Sequence, residues 1–444
     1  MKKNKFSVLG MLVLGLVFVG CTTNGGSGDT SATRTATDLV RALGDKATAN
    51  GNTITLTGDV TLTGDVWVEN TLIVPLGVTL DLTADGARLF LKDGATLTVD
   101  GTVNARGGGD SGNGWVDGGL CIEDGATAIN GKGTINLKSK GLLLNIWGGG
   151  NGRKLTLDGV TLVGLPDNDN SLVDVNNGGE LVMKSGAITS NTRIGAEWVE
   201  GGGVHVWQGT FTMEGGEISG NAVQGNIGNS NGGGVSIGGE GGRFIMKGGV
   251  IKENTATSVR FASSGGVFVT GQDGVPDVSV IGDVSFIMEG GTISSNIANG
   301  QNGANGGGVK ILQAIFTMTG GEISGNSIQG AEAKGGGLIV SRSTFTMYGG
   351  AVYGNSAKGS NMVFGGGMYL DGNISTFTMF GGRIQGSTAS DGYAANGQSL
   401  NVDNATARWG TGGTYTRNGV PQTGGSIIID RYGTNDTLIA IPAR

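Results

Sequence analysis

The chain has 444 residues, 92 of them glycine, and a formal net charge of −7. An acidic chain without a basic cluster excludes nucleic acid and anionic lipid surfaces as electrostatic partners. One histidine and two cysteines leave too few side chains for a zinc site or a Ser-His-Asp triad.

The amino terminus predicts export and a lipid anchor. Three early lysines precede an apolar run over residues 6–20, which is too short to span a membrane and is typical of a secretory signal. The run ends in FVGC, which resembles the lipobox of bacterial lipoproteins. The resemblance implies removal of residues 1–20 and lipidation of Cys21, with ordinary cleavage nearby as the alternative. Residues 21–36 are rich in Thr, Ser and Gly and predict a flexible tether.

A cap and a series of irregular coils are predicted next. In residues 37–49, Thr37 is predicted to cap a short amphipathic helix that covers the first coil. Residues 50–180 contain short alternating runs separated by turns at about 8–12-residue spacing. A sandwich or barrel also fits that spacing, but continuity into the repeats favours one solenoid. With Cys21 lipidated, Cys121 has no disulfide partner and is predicted to lie in the core.

Residues 181–390 carry seven copies of one phrase, whose fullest form is FTMEGGEISGN at residues 211–221. The central methionines lie 29 to 42 residues apart: Met183, Met213, Met246, Met288, Met318, Met347 and Met379. From the second copy onward, a glycine pair or triplet with alternating apolar residues precedes the phrase. A period of this size is typical of a solenoid, in which each unit completes its core against the next.

The fold predicted for these repeats is all-β. The alternation inside each phrase has a period of two, and no window carries a sustained 3.6-residue stripe. We expect a single-stranded, right-handed parallel β-helix with Phe, Met and Ile columns inside. The phrase-ending asparagines are expected to stack and hydrogen-bond along the axis: Asn191, Asn221, Asn254, Asn296, Asn326 and Asn355. Residues 391–444, where the phrases stop, are predicted to form capping strands.

No set of residues matches a catalytic pattern. His205 occupies an outward strand position, and because its predicted column contains no carboxylate, we expect a solvated imidazole. The predicted partners in that column are Ser236, Phe268, Lys310, Ile339 and Tyr369. Glu214 and Lys247 alternate in sign along another column, which indicates a charge ladder rather than the carboxylate pair of a glycosidase. Residues 167–171 (DNDNS) predict a plain turn, with calcium binding as the alternative; we predict no metal and no cofactor.

Candidate binding residues lie where the repeat is interrupted or variable. The spacing from Val267 to Phe286 is 19 residues instead of 7 or 9, and insertions in solenoids map to surface loops. From this insertion we select Gln272, Asp273 and Asp277, although a neutral insertion is the alternative. From the segments of 8 to 10 residues between each asparagine and the next glycines we select Arg193, Trp198, Arg260 and Phe261. These segments are expected to form an exposed ridge.

Residues 180–390 resemble the repeat region of the polymorphic outer-membrane proteins of chlamydiae, in which glycine-glycine-apolar phrases alternate with Phe- and Asn-bearing phrases. The resemblance implies a right-handed β-helix and a cell-surface role in adhesion or antigenic display. Two features depart from that family, because the Phe-to-Asn spacing is longer and the carboxyl terminus lacks an autotransporter pattern. The combination of lipid and repeats looks more like a spirochaete-type surface lipoprotein.

The expected function is that of a non-enzymatic adhesin or display scaffold. We expect it to be held in the outer membrane by its lipid, exposed at the surface, and to bind a protein or glycan of a host or neighbouring cell. A carbohydrate-active enzyme on the same fold, a polysaccharide lyase or hydrolase, is one alternative. An inert envelope spacer is the other.

Overall fold

Parallel strands stacked coil upon coil make up almost all of the structure. The computed structural model describes residues 36–110, 115–123, 125–149, 152–271, 283–371 and 374–390. Beyond these it describes short stretches: 394–396, 400–403, 406–409, 414–417, 420–423, 426–427 and 438–441. The prediction of a parallel β-helix is confirmed. Residues 50–180 belong to the same stack, because their strands pair in parallel with those of the repeats.

The strands of successive coils form three faces. The Met face has the strands Ala47–Asn50, Thr53–Leu56, Thr71–Val74, Thr96–Val99, Ala126–Asn130, Lys154–Asp158, Glu180–Met183, Thr210–Met213, Arg243–Met246, Ser285–Met288, Ile315–Met318, Thr344–Met347, Thr376–Met379, Thr406–Trp409 and Ser426–Ile427. The Ile face has Val60–Thr61, Thr79–Leu82, Thr102–Ala105, Thr134–Leu137, Thr161–Val163, Ala187–Thr189, Glu217–Ser219, Val250–Lys252, Thr292–Ser294, Glu322–Ser324, Ala351–Tyr353, Arg383–Gln385, Thr414–Arg417, Val420–Thr423 and Leu438–Ile441.

The third side, the Val face, consists of two successive sheets. The first has Asp65–Val68, Arg88–Leu91 and Leu120–Ile122. The second has Leu144–Trp147, Val173–Asn176, Val204–Trp207, Val235–Gly238, Val267–Thr270, Val309–Leu312, Leu338–Ser341, Met368–Asp371 and Leu400–Asp403. A separate antiparallel pair, Gly109–Asp110 and Trp115–Val116, lies outside the three faces.

The interior is filled by columns of identical side chains, as the repeat predicts. Six phenylalanines from Phe211 to Phe377 stack ring on ring with centroids 4.6 to 5.0 Å apart. Methionine and isoleucine columns lie beside them and are equally buried. The expected outward column is also present, because Thr212 and Thr317 occupy the half-buried positions of their strands.

Glycine is required at the corner between the Met and Ile faces. Gly216 has φ +85°, and a Cβ there would lie 2.7 Å from Met183 Cε and 2.8 Å from the carbonyl oxygen of Gly186. Only glycine combines the left-handed conformation with so close an approach. A positive φ recurs at the second glycine of each later Met-x-Gly-Gly phrase: Gly249, Gly291, Gly321, Gly350 and Gly382.

An asparagine ladder closes the corner after the Ile face. From Asn221 to Asn355 each side-chain Nδ2 donates to the Oδ1 of the next asparagine, or to a carbonyl at the end of the column, at 2.9 to 3.2 Å. Each Oδ1 also accepts the backbone N–H of the asparagine one coil earlier. Asn168 extends the ladder by donating to Asn191 at 2.9 Å. The predicted stacking of these asparagines is confirmed.

The segments between this ladder and the next glycine phrase form a two-legged structure that we call the arch. An outward leg such as Ala222–Gly225 and a return leg such as Ser230–Asn231 each pair in parallel with their counterparts in the next coil. The arch strands are Thr192–Gly195, Val199–Glu200, Ala222–Gly225, Ser230–Asn231, Thr255–Ser258, Phe261–Ser263, Ile297–Asn305, Ser327–Lys334, Ser356–Phe364, Thr388–Ser390 and Ala394–Asn396. A second buried cluster of Val, Ile and Ala side chains holds the arch together. The expected ridge is therefore a paired sheet.

Both ends of the stack are covered. The helix Ala36–Leu43 buries Leu39 and Leu43 in the main core, as a cap should. It starts before Thr37, so the prediction that Thr37 caps it is wrong. The rest of the predicted 37–49 helix is the 3₁₀ turn Gly44–Lys46 and the strand Ala47–Asn50, which pairs antiparallel with Thr53–Leu56. At the other end, coil strands continue to Trp409, past the predicted boundary of 390, before antiparallel closing pairs follow.

Candidate functional site

A groove lies between the return legs of the arch and the outer surface of the Val face. We call it the aromatic groove. Its volume is about 490 Å³. It is lined by Trp198, Glu200, Trp207, Asn229, Asn231, Phe261, Ser263, Phe268, Thr270, Asn305, Lys310 and Leu312. These residues come from four successive coils, so the groove runs along the axis of the stack.

The arch wall of the groove carries two columns of side chains. Val199 pairs with Ser230, and Ser230 pairs with Ala262, so their preceding residues Trp198, Asn229 and Phe261 follow one another along the wall. Trp198 is 68% exposed and Phe261 is 40% exposed. The second column is polar, because direct strand pairing aligns Glu200, Asn231, Ser263 and Asn305. One wall therefore combines exposed aromatic rings with a ladder of polar groups.

Polar contacts join the two walls at the floor of the groove. Asn231 Nδ2 donates to Glu200 Oε1 at 3.0 Å, and Ser236 Oγ of the Val face donates to Glu200 Oε2 at 3.3 Å. Further along, Lys310 Nζ donates to Ser263 Oγ at 3.0 Å and lies 5.6 Å from the centroid of the Phe268 ring. Desolvation lowers the pKa of Lys310 to about 8. These contacts hold the arch at a fixed distance from the Val face.

Trp207 occupies the Val-face wall because glycines make room for it. A Cβ on Gly238 would lie 2.8 Å from Trp207 Cζ3, and one on Gly239 would lie 3.1 Å from Trp207 Cδ2. The indole therefore lies flat against the backbone of the next coil. Replacing Gly238 with any larger residue would displace the ring.

Two of the predicted binding residues, Trp198 and Phe261, line the same wall of the groove two coils apart. Arg260 is exposed between the legs of its arch but does not line the groove. Its backbone N–H donates to Ser258 Oγ at 2.8 Å. The prediction of an exposed ridge is thus correct for the aromatic residues, and the structure shows which wall they share.

Arg193 is a structural residue rather than an exposed contact. Its guanidinium donates to the carbonyl oxygen of Glu200 and, at 3.2 Å, to Ser171 Oγ. Burial lowers the pKa of Arg193. The side chain ties the first outward leg to the base of its return leg, so the prediction of an exposed position was wrong.

The remaining predicted positions lie outside the described residues. They are Gln272, Asp273 and Asp277 of the insertion and Cys21 at the predicted lipid site. The insertion follows Gly271, one residue after Thr270 of the groove wall. Its role in binding stays a prediction.

The expectation of a solvated His205 without a carboxylate neighbour is wrong. The predicted column from Ser236 to Tyr369 is correct, but it also extends before His205, where Asp174 is the neighbour one coil earlier. His205 Nδ1 lies 2.9 Å from Asp174 Oδ1, and its ring stacks on Trp207 at a centroid distance of 6.4 Å. This pair supports the Trp207 side of the groove.

Two acidic features that the sequence singled out, the Glu214 column and residues 167–171, are accounted for by contacts within the fold. Lys247 Nζ lies 3.2 Å from Glu214 Oε1, which confirms the charge ladder. In residues 167–171, Asn168 belongs to the asparagine ladder and Ser171 Oγ donates to the carbonyl of Gly201. Within the described part of the chain, no group of three or more His, Cys, Asp or Glu residues is arranged to hold a metal ion. Asn168 and Ser171 are thus engaged in contacts that hold this turn in place.

Cys121 is buried beside Phe90, as predicted, but it lies outside the main core that contains its neighbours Leu120 and Ile122. Its Sγ lies 3.4 Å from the carbonyl oxygen of Gly118, and burial raises the pKa of the thiol.

Sequence reasoning missed most of the groove. Glu200 and Trp207 come from one coil, whereas Asn229 and Lys310 come from two later ones, and only the registers of the arch and the Val face bring these residues together. The sequence did place Lys310 and Phe268 in the outward column of His205. It gave no indication that the arch folds over this column and makes it one wall of a groove.

Comparisons with protein families, with curated proteins and with solved structures find no match. None of the described helices is long and apolar enough to cross a membrane. The site must therefore be interpreted from its own chemistry.

Proposed function

We propose that this protein is a lipid-anchored, non-enzymatic binding scaffold of the outer cell envelope. It displays the aromatic groove to proteins or glycans of host or neighbouring cells. The aromatic groove is the observation that supports this function most directly. Exposed aromatic rings beside a few fixed polar groups are the usual composition of a recognition site.

The rigidity of the walls supports a scaffold. Phenylalanine stacks and the asparagine ladder run through the coils that carry the groove, and contacts from Glu200 and Lys310 join its walls. A preorganised site loses little conformational entropy when a ligand binds. The signal and FVGC sequence support export and a lipid at Cys21, and the resemblance to surface repeat proteins supports display.

One observation favours a carbohydrate-active enzyme as the second candidate. Glu200 and Lys310 line the same groove, and the pKa of Lys310 is lowered to about 8, which suits a general base. Against this, both side chains already hydrogen-bond within the floor. The enzyme candidate predicts new reducing ends or unsaturated products when polysaccharide is incubated with the protein.

Adhesion of whole cells tests the binding function. Cells producing the wild type, the double variant Trp198→Ala with Phe261→Ala, or Tyr348→Ala are matched for surface protein and applied to epithelial monolayers and to lawns of a second bacterial species. Tyr348 is the control because it is an aromatic residue, 54% exposed, outside the groove. We expect the double variant to lose adhesion to at least one surface, and Tyr348→Ala to retain it. Equal adhesion of all three would contradict the proposal.

A further inference from the structure

We infer that the aromatic groove binds an uncharged polysaccharide chain lying along the axis of the β-helix. The inference rests on the proposed function and names its ligand class. Three observations support it: the spacing of the aromatic residues along the groove, the column of polar side chains beside them, and the net charge of the lining residues.

The aromatic residues are placed to contact successive sugar rings. Trp198 and Phe261 occupy the same column two coils apart, which corresponds to roughly 10 Å at the usual strand spacing. Trp207 stands on the opposite wall. An aromatic ring presents a negative face, and the C–H groups on one side of a pyranose carry the complementary polarity. A chain of sugar rings can therefore stack on both exposed aromatics at once.

The polar column supplies partners for hydroxyl groups at the same repeat. In the column headed by Glu200, Asn305 is half-buried, whereas Asn231, two coils earlier, is buried against Glu200; Asn229, between Trp198 and Phe261, is also half-buried. A primary amide has two N–H donors and a carbonyl acceptor, so it suits a hydroxyl that both donates and accepts. The bond to Ser263 uses one of the three donors of the Lys310 ammonium. A site that repeats from coil to coil matches a ligand that repeats along its length.

The backbone argues against an extended peptide as the ligand. Peptides that add a strand need an unpaired sheet edge. Here both walls are sheet faces, and their strands pair with the coils on both sides except Val199–Glu200, which ends the arch sheet and pairs only with Ser230–Asn231. At that end the carbonyl oxygen of Glu200 already accepts a hydrogen bond from Arg193. Recognition along the rest of the groove must therefore come from side chains, as it does for a polysaccharide.

Charge favours an uncharged ligand. Glu200 and Lys310 contribute opposite charges to the lining, and the whole chain is acidic at −7. A polyanionic chain would be repelled over longer distances by this net charge. The groove offers no cluster of cations among its lining residues to offset that repulsion.

Titration with defined oligosaccharides tests the inference. Full-length protein in detergent is titrated with cellohexaose, mannohexaose and xylohexaose, with a heparin hexasaccharide for comparison, by calorimetry and tryptophan fluorescence. We expect at least one uncharged hexasaccharide to bind more tightly than heparin. Trp198→Ala and Phe261→Ala should each weaken it about tenfold or more, as for buried aromatic hot spots. Tyr348→Ala should bind within about twofold of the wild type.

A second variant changes the shape of the groove without removing an aromatic residue. Gly238 does not have a positive φ, so Gly238→Ala is compatible with its backbone, but its new methyl group would displace Trp207. We expect this variant to weaken oligosaccharide binding while its unfolding midpoint stays close to that of the wild type.

Each contrary outcome identifies what is wrong. If none of the uncharged oligosaccharides binds, or heparin binds more tightly, the ligand class is wrong, while the adhesion assay still decides the proposed function. If an oligosaccharide binds but Trp198→Ala and Gly238→Ala have no effect, the groove is not its site. If reducing ends appear, the glycan site stands and the non-enzymatic function is overturned.

Discussion

Truncation of one ladder asparagine should destabilise the whole stack. Asn254 Oδ1 accepts the backbone N–H of Asn221 at 3.0 Å and the side-chain Nδ2 of Asn221 at 3.2 Å. Asn254 Nδ2 donates to the carbonyl of Ile218 at 2.9 Å and to Asn296 Oδ1 at 3.0 Å. Asn254→Ala removes all four hydrogen bonds and takes away the acceptor of the buried Asn221 N–H.

The expected loss follows from these contacts. A buried donor without an acceptor costs roughly 1–3 kcal/mol, and the net loss of the other hydrogen bonds adds about 1 kcal/mol or more. We therefore expect the free energy of unfolding to fall by about 3 kcal/mol. Urea unfolding of the full chain, followed by far-ultraviolet circular dichroism, measures this change. The matched control is Asn299→Ala at an exposed arch position, with an expected change within about 0.5 kcal/mol. Equal midpoints for Asn254→Ala and the wild type would show that these hydrogen bonds do not stabilise the stack.

Three further predictions test the core and the groove floor. Phe286→Ala should lower the free energy of unfolding by about 3–5 kcal/mol in urea titrations, because the ring is fully buried between Phe244 and Phe316; a change below about 1 kcal/mol would contradict the stack. Folding lowers the Lys310 pKa from 10.5 to about 8, so the unfolded chain binds more protons between these values and wild-type stability should rise with pH there. Lys310→Met should lack that rise in urea titrations across this window, and a parallel rise in both proteins would exclude Lys310 as its source. Cys121 should react with Ellman's reagent only after denaturation, because it is buried and its pKa is raised; rapid reaction in the native protein would contradict this.

The fold of the repeats could be predicted because their information is local and periodic. Each phrase repeats Phe, Met, Ile and Asn at fixed offsets. Because successive coils stack one strand spacing apart, identical side chains lie directly above one another. The Phe211 to Phe377 stack and the asparagine ladder follow directly from that rule. Residues 50–180 obey it with different side chains, which is why their alternation also fitted a sandwich or barrel.

The arch and the groove could not be predicted in the same way. The arch cluster consists of small side chains such as Ala256 and Ala304, which give little hydrophobic contrast over a short segment. When each leg pairs with its counterpart in the next coil, the arch covers the outward column that contains His205. The sequence alone predicts that this column faces solvent. The predictions for His205 and Arg193 were wrong because the sequence does not show which residues lie beside them. Only the register of the assembled coils places Asp174 beside His205 and the base of the return leg beside Arg193.

The central claim is that the aromatic groove faces the outside of the cell. A Trp198→Cys variant, produced in its native cells and treated with a membrane-impermeant maleimide, tests this directly, because Cys121 is buried and the wild type supplies the background. We predict that the maleimide labels the variant on intact cells, that the wild type stays unlabelled, and that lysis adds little further signal. Labelling of the variant only after lysis would place the groove away from the cell surface and contradict a display function.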